Sequence, residues 1–594
     1  MSSIELTSVA VTCVFFMGLV AWISYRRARH STHDTEGYFL AGRGLSATFI
    51  AGSLLLTNLS AEQLIGLNGS AYGFNMSAMG WEVTAAVATV AMAFFFLPRY
   101  LRGGFTTLPQ FLADRYDDDV RRISVVLFLL GYGLVTIPSV LYAGSVAVMK
   151  LFDVPALTGL SYSSALFLTV VVIGATGALY AILGGMKAVA VSDTLNGIGL
   201  LIIGVAVPVL GLQLLGAGDM TEGLRTLTTE HTEKLNAIGA QDDPTPFGTL
   251  FTGMVFANLF YWCSNQYVIQ RTLSARSFAE GQKGVLFSGF FKVLVPLFMM
   301  IPGVIAFHLY GPELASIDLA YPQVVRDTLP VWAMGFFLAV LLGAVFSSFN
   351  SLINSAATMF TLDVLAPWLS RRAGLAGSKA DATENQVQET AKGSISLAFN
   401  GVSDQTLVRS AKWGSVVIAL FSLGVAPLLQ FAPEGLWQII RIFTGFYNIP
   451  IIAIVLVGML TTRVPARAVK IAIGFHLVAY GSVQFLFKEQ VAIHFLHLYA
   501  ILFVIEVGFM LLMGYWKPAH KARVMHTPPI DMTPWPHAKA CAITLLSCVV
   551  GLYCLFSPLG LVASGGMGLG FGAVVALLLL VNGVFWQRSV RAHG

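Results

Sequence analysis

Five ionisable side chains lie inside long apolar stretches of the chain: Glu82, Asp193, Lys292, Arg441 and Glu506. A charge within a bilayer is costly, so such groups face a partner or a wet cavity and mark the paths of ions and polar solutes. Gln63 and Asn258 add amides to the set. Counting roughly 1.5 Å per residue from the ends of their stretches puts Gln63, Glu82 and Arg441 about 9 Å below the outer face, Asn258 about 15 Å below it, and Lys292 about 14 Å above the inner face. These five side chains can line one aqueous pocket. A hydroxyl-rich solute needs such a lining, because each polar group must replace the water it gives up. In the competing account Glu82 pairs with Arg441 or Lys292 only to lock helices together.

A second group is Ser347-Ser348, followed by Asn350, Ser351 and Asn354. Sodium is a small hard cation and takes oxygen ligands. The two hydroxyls would suit it, although a serine in a membrane helix also bonds its own i−4 carbonyl. Asp193, about four residues inside the cytoplasmic end of its stretch, could attract a cation leaving inward or could sit against a helix N-terminal dipole. Glu506 lies in a peripheral stretch and reads as a packing contact. Tyr261, Trp262 and Trp81 could stack on a sugar ring, close a passage or fill a core. His476 and His308 stand isolated. No Walker A motif, HExxH or GxSxG is present in a suitable context, so the chain reads as no enzyme. Without a nucleotide-binding domain, uphill transport must draw on an ion gradient.

The elements that position these residues are membrane helices. Of 594 residues 56% are hydrophobic and 11% charged, against roughly 45–50% and 25% in soluble domains. Mean hydropathy is +0.76. An ordinary soluble enzyme, a disordered chain and a coiled coil are excluded, and a lipid bilayer is the implied partner. A net charge of +5 spread over loops implies no nucleic acid. The five cysteines (13, 263, 541, 548 and 554) all lie in or beside apolar stretches and read as small buried residues.

About fifteen stretches meet the roughly 20-residue length of a spanning helix: 4–26, 46–69, 76–99, 123–152, 162–184, 189–217, 248–271, 283–310, 328–368, 410–431, 435–461, 466–486, 493–515, 538–557 and 568–587. The first has basic residues after it and none before, which reads as a retained helix with an outside amino end. Alternating crossings then place 28 of the 35 Lys and Arg inside and five outside. That bias fits the positive-inside rule and a cytoplasmic carboxyl end. The outside loop 218–247 reads as a cap or a solvated connection, and the inside loop 370–409 as a tolerated insertion, with a regulatory segment as the alternative.

Two stretches are interrupted by polar residues: Thr57-Asn58-Leu59-Ser60-Ala61-Glu62-Gln63 in the second and Asn258-Leu259-Phe260-Tyr261-Trp262-Cys263-Ser264-Asn265-Gln266 in the seventh. They are five crossings apart and run in opposite directions. Broken helices at matching places in two inverted halves point to a transporter site near the midplane.

The chain resembles the sodium/solute symporter family, and its sodium–galactose branch in particular. The resemblance rests on Tyr38-Phe39-Leu40-Ala41-Gly42-Arg43, Asn58-Leu59-Ser60-Ala61-Glu62-Gln63, Asn265-Gln266-Tyr267-Val268-Ile269-Gln270-Arg271-Thr272-Leu273, Ser347-Ser348 and Asn354-Ser355-Ala356. It runs from about residue 5 to 515. Uncharacterised bacterial members also share Met79-Gly80-Trp81-Glu82-Val83-Thr84 and a longer carboxyl end.

The resemblance implies an all-α polytopic protein with a LeuT-type five-plus-five inverted repeat and extra terminal helices. Residues 1–45 would form the extra first helix and its loop. The repeats would be 46–217 and 248–461, joined by 218–247 and with the insertion 370–409 in the second. Residues 462–594 would be peripheral helices. Sodium, transported and not a prosthetic group, would take backbone oxygens at Leu56, Leu59 and Ala344 and the hydroxyls of Ser347 and Ser348. The solute, a sugar or sugar derivative, would meet Gln63, Glu82, Asn258, Lys292, Gln438 and Arg441. Tyr261 would be the inner gate, hydrogen-bonded to Asn58, with Trp262 beside it. Leu67, Trp81 and Trp437 would form the outer gate. Asp193, Asn350 and Ser351 mark a cation exit or second sodium site.

Two departures bear on the solute. Arg441 replaces a glutamine that touches sugar in the galactose branch, and Ala85 replaces a serine. Arg441 with Lys292 suits an anionic solute such as a uronic or sulfated sugar; an Arg441 that neutralises Glu82 suits an uncharged one. The implied function is sodium-coupled import across the inner membrane. Its rivals are a symporter for a non-sugar organic anion or amino acid, and a sensor that binds without moving its solute.

Overall fold

The computed structural model describes residues 3–28, 40–314, 317–372, 404–431, 436–487, 490–491, 493–519, 530–563 and 568–593. The side chains of 3, 28, 150–151, 179–186, 318, 370–372, 404, 436–439 and 593 also lie outside that description. Trp437 and Gln438 therefore fall outside the described side chains, and most of the 370–409 insertion falls outside the described residues.

The named elements are helices, and two isolated bridges, Leu45 with Ala275 and Ser277 with Asp531, are the strand-like pairings among the described residues. In chain order they are α1 (Ser3–Ala28), α2 (Ala47–Asn58), α3 (Ala61–Gly73), α4 (Met76–Gly103), α5 (Asp118–Met149), α6 (Tyr162–Leu215), α7 (Gly253–Cys263), α8 (Gln266–Leu273), α9 (Phe278–Tyr310), α10 (Val331–Leu369), α11 (Gln405–Phe431), α12 (Leu436–Leu460), α13 (Ala466–Phe485), α14 (Phe495–Trp516), α15 (Ala538–Leu555) and α16 (Leu569–His593).

Among the described residues twelve helices are long and apolar enough to cross a membrane, and thirteen if the bent pair α2–α3 is one span. The count of fifteen is thus not reached by complete spans. The other two expected stretches survive as shorter apolar helices, Tyr162–Ala178 and Gly253–Cys263. The expected separation of 162–184 from 189–217 is also replaced by one helical backbone, α6. That backbone is not straight. Gly177 packs on Phe346 and Phe349, while Asn196 packs on Gly343, all three on α10. Along a straight helix Gly177 and Asn196 would stand about 28 Å apart, against about 9 Å between Gly343 and Phe349. The segment must bend between them.

Helices α2, α4, α6, α9 and α10 pack on one another and form the centre of the molecule. Most side chains of α1 and α16 are not buried against the rest of the protein, so their apolar side chains face outward, as lipid-facing helices must. The loop 218–247 does more than solvate. Lys234 donates to the carbonyls of Tyr72 (2.9 Å) and Gly73 (3.5 Å), the last residues of α3, and its ammonium lies 4.0 Å from the Phe307 ring. A cation there suits the negative end of the α3 dipole. Burial holds the Lys234 ammonium below its usual pKa.

Candidate functional site

The first polar interruption is a break. α2 and α3 meet at 61°, with Leu59 at φ −82°, ψ 85° and Ser60 extended. The Ser60 amide donates to the Asn58 carbonyl and the Gln63 amide to the Ser60 carbonyl. In a continuous helix these amides would serve Leu56 and Leu59, so both carbonyls lose their i+4 donors. The second interruption is also a break. Helix α7 ends at Cys263, Ser264 and Asn265 leave helical geometry, and α8 begins at Gln266. Neighbours hold the broken ends: Tyr100 donates to the Cys263 carbonyl (2.8 Å), Tyr132 to Asn265 Oδ1, and the Leu108 amide to Gln266 Oε1 (2.8 Å). Because these polar groups are satisfied by surrounding helices, the interruption is tolerable at membrane depth.

A cavity of about 100 Å³ lies between the two breaks. Gln63, Glu82, Asn258, Lys292 and Arg441 all line it, as do Asn58, Trp81, Tyr261 and Ser348. Lys292 Nζ donates to Glu82 Oε2 in a buried ion pair, and Gln63 Nε2 donates to the other carboxylate oxygen at 3.2 Å. Asn258 Nδ2 donates to Thr84 Oγ1 at 2.7 Å. The Arg441 guanidinium lies 4.0 Å over the Trp81 ring, a cation–π arrangement that fixes its direction. Glu62 also lines the cavity. Glu62 and Glu82 thus stand against Lys292 and Arg441, two charges of each sign. Small-molecule pockets usually enclose roughly 300–1,000 Å³, so this one must widen to admit a solute.

The Tyr261 hydroxyl lies beside Asn58 and 3.5 Å from the Thr57 carbonyl. Trp262 and Leu67 are buried but do not line the cavity; Trp262 packs edge-on against Tyr261. Ser347 and Ser348 are each 2% exposed. Neither Ser347 Oγ nor Ser348 Oγ has a hydrogen-bond partner among the described residues, although Ser347 lies on the side of the Asp193 carboxylate. Leu56, Leu59 and Ala344 are buried.

Asp193 is already engaged. It accepts from Ser53 Oγ (2.6 Å) and pairs with Arg271 (3.5 Å), whose guanidinium also donates to Ser351 Oγ and the Tyr267 carbonyl. Ser351 in turn donates to the Ser347 carbonyl (2.5 Å), and Asn350 is buried nearby on α10. Arg271 was legible only as part of a motif.

Sequence reasoning also missed Glu62 as a pocket charge and Tyr499 as a wall. Glu62 adjoins Gln63 and could have been counted, but nothing in the sequence of a peripheral helix signals that Tyr499 turns inward. Two expectations are corrected. His476 is not isolated and Glu506 is not a plain packing contact: His476 Nδ1 lies 2.5 Å from Glu506 Oε1.

Two opposed helix breaks around a polar, charge-paired cavity, inside a bundle of spanning helices, define a multi-pass membrane protein of the secondary-transporter class. The fold agrees. A solved Na+-coupled sialic acid symporter, in a substrate-bound outward-open state, superposes with a TM-score of 0.70 at 16% identity, covering 86% of this chain and 99% of that one; the fold is LeuT-type. The sodium:solute symporter family profile matches residues 38–375, and the chain belongs to that family. It is 41% identical to the uncharacterized symporter YidK of Escherichia coli K12, over 95% of this chain and 93% of that protein. It is 28% identical to the sodium/glucose cotransporter of Vibrio parahaemolyticus, over 80% and 83%. Its relatives are transporters and not enzymes, and sodium is the coupled ion.

Proposed function

We propose that this protein imports an uncharged sugar or sugar derivative across the inner membrane with sodium, by alternating access. The repeats are 46–217 and 248–461, the amino end is outside and the carboxyl end cytoplasmic. Sodium binds to the carbonyls of Leu56, Leu59 and Ala344 and the hydroxyls of Ser347 and Ser348. The solute binds among Gln63, Glu82, Asn258, Lys292, Gln438 and Arg441. Tyr261, Asn58 and Trp262 form the inner gate; Leu67, Trp81 and Trp437 form the outer one.

The observation that carries this reading is Glu82 held between Gln63 and Lys292 beside the break that frees the Leu56 and Leu59 carbonyls. One segment, α2–α3, thus serves both ligands. Sodium bound there steadies the break, and so the position of Gln63, before solute arrives. Coupling requires this, because each ligand must favour one conformation over the other. One charge moving inward through −100 mV supplies about 2.3 kcal/mol, and a tenfold sodium gradient about 1.4 more. One sodium can therefore sustain a solute gradient of roughly several hundredfold.

The choice of an uncharged solute rests on Glu62 balancing Arg441. The second reading, a uronic or sulfated sugar, is favoured by the guanidinium directed at the cavity. Uptake into proteoliposomes under an inward sodium gradient separates them, using neutral, acidic and sulfated sugars. Accumulation of a neutral sugar that stops when the gradient is dissipated is expected, and Arg441→Gln should weaken it without altering charge preference. Accumulation of only the acidic sugars would transfer the assignment to the second reading. Saturable binding without accumulation would mean a sensor.

A further inference from the structure

Three helices meet at mid-length around a buried titratable pair that the transport reading does not use. His476 (α13) and Glu506 (α14) are 0% and 1% exposed. His476 Nδ1 lies 2.5 Å from Glu506 Oε1, and Nε2 lies 3.1 Å from the carbonyl oxygen of Gly445 on α12. A carbonyl oxygen only accepts, so Nε2 carries a hydrogen. With a neutral ring Nδ1 is then a bare acceptor, and it would face an ionised carboxylate lone pair to lone pair. The contact becomes a hydrogen bond when one further proton is present, on Nδ1 or on Glu506. Either placement leaves the pair with no net charge.

The same three helices share further contacts. The Tyr480 ring (α13) stacks on His476 with centroids 5.5 Å apart. Tyr480 donates to the Ile442 carbonyl (2.9 Å) and Tyr499 (α14) to the Arg441 carbonyl (2.6 Å). Gly445 makes room for them, since a Cβ there would lie 2.5 Å from the Tyr499 oxygen and 2.6 Å from the Tyr480 oxygen. The charge on α12 is Arg441, directed at the cavity. From α7, which packs on α14, Phe256 stacks on Phe503. From the start of α5, Asp117 and Asp119 pair with Lys470 near the beginning of α13. His476, Tyr480 and Tyr499 thus hold three carbonyls of the helix that carries Arg441 and Thr444 to the solute cavity.

We propose that His476 and Glu506 form a proton-binding site that clamps α12. When the proton leaves, the ring's remaining hydrogen goes to Nδ1, facing the carboxylate. Nε2 is then bare toward the Gly445 carbonyl, and the clamp opens. The inference is independent of which solute is carried.

The test uses the full chain in nanodiscs between pH 6 and 9. Above about pH 6.5 an unfolded histidine has given up its proton, whereas the clamped arrangement proposed here contains one. The wild-type folded-to-unfolded ratio, read from thermal unfolding, should therefore fall about tenfold per pH unit relative to Glu506→Gln. In that variant an amide N–H serves Nδ1 and no extra proton is needed. Hydrogen exchange over residues 441–449 should be equal in the two proteins at pH 6.5 and faster in wild type at pH 9. Unfolding curves that run parallel with pH, or equal exchange at pH 9, overturn the proposal. The double variant His476→Gln, Glu506→Gln keeps a donor for Gly445 and leaves nothing in the pair to titrate; it should behave as Glu506→Gln does and serves if that variant does not fold.

Discussion

Lys292 of α9 and Glu82 of α4 meet as a buried ion pair, and Gln63 of α3 takes the carboxylate oxygen that Lys292 leaves. Removing one partner of such a pair strands the other charge, at a cost of about 3–5 kcal/mol, whereas replacing both with neutral groups is often harmless. Lys292→Ala should therefore lose both thermal stability and uptake. The double variant Glu82→Gln, Lys292→Met should regain the stability but not the uptake, measured as melting temperature in nanodiscs and sodium-driven accumulation in vesicles. If uptake returns with stability, the pair is only a lock between helices.

Ser348 Oγ is buried and has no partner among the described residues. An unsatisfied buried hydroxyl is costly, and a sodium ion would satisfy it. Ser348→Ala should raise the sodium concentration for half-maximal uptake about tenfold, roughly 1.4 kcal/mol of lost binding. Solute affinity in sodium-free medium should hardly change. A titration in which both fall equally removes Ser348 from the cation site.

Arg271 already supplies a positive charge to Asp193 and a donor to Ser351. The place where a second sodium would bind thus holds a resident cation. Sodium activation of uptake should accordingly be hyperbolic rather than sigmoidal. Arg271→Met leaves Asp193 buried without a counter-charge, and should cost about 3–5 kcal/mol of stability. Adding Asp193→Asn should recover most of that. A sigmoidal sodium dependence in wild type would count against a single site.

Much of this molecule is local and therefore legible along the chain. A spanning helix needs only length and apolar character, so every described span falls on one of the fifteen stretches. The spans that fell short are those where backbone geometry intervenes, at the break after Cys263 and along the bent α6. The breaks at Asn58-Leu59-Ser60 and Ser264-Asn265 were visible because polar residues interrupt apolar runs. Depth counting along each helix brought Gln63, Glu82 and Arg441 to one level and Asn258 and Lys292 to a second, roughly one helical turn deeper, and the cavity joins all five.

Partners were another matter. Whether Glu82 would meet Lys292 or Arg441, that Arg271 would reach Asp193, and that His476 would find Glu506 depend on how each helix is rotated about its axis and where it crosses its neighbours. A helix apolar on all sides carries no stripe to declare its inward face. The sequence by itself determined that these polar groups lie at membrane depth and need company; only the tertiary structure decided which helix supplies it, because lateral packing, unlike depth, is not a property of any one segment.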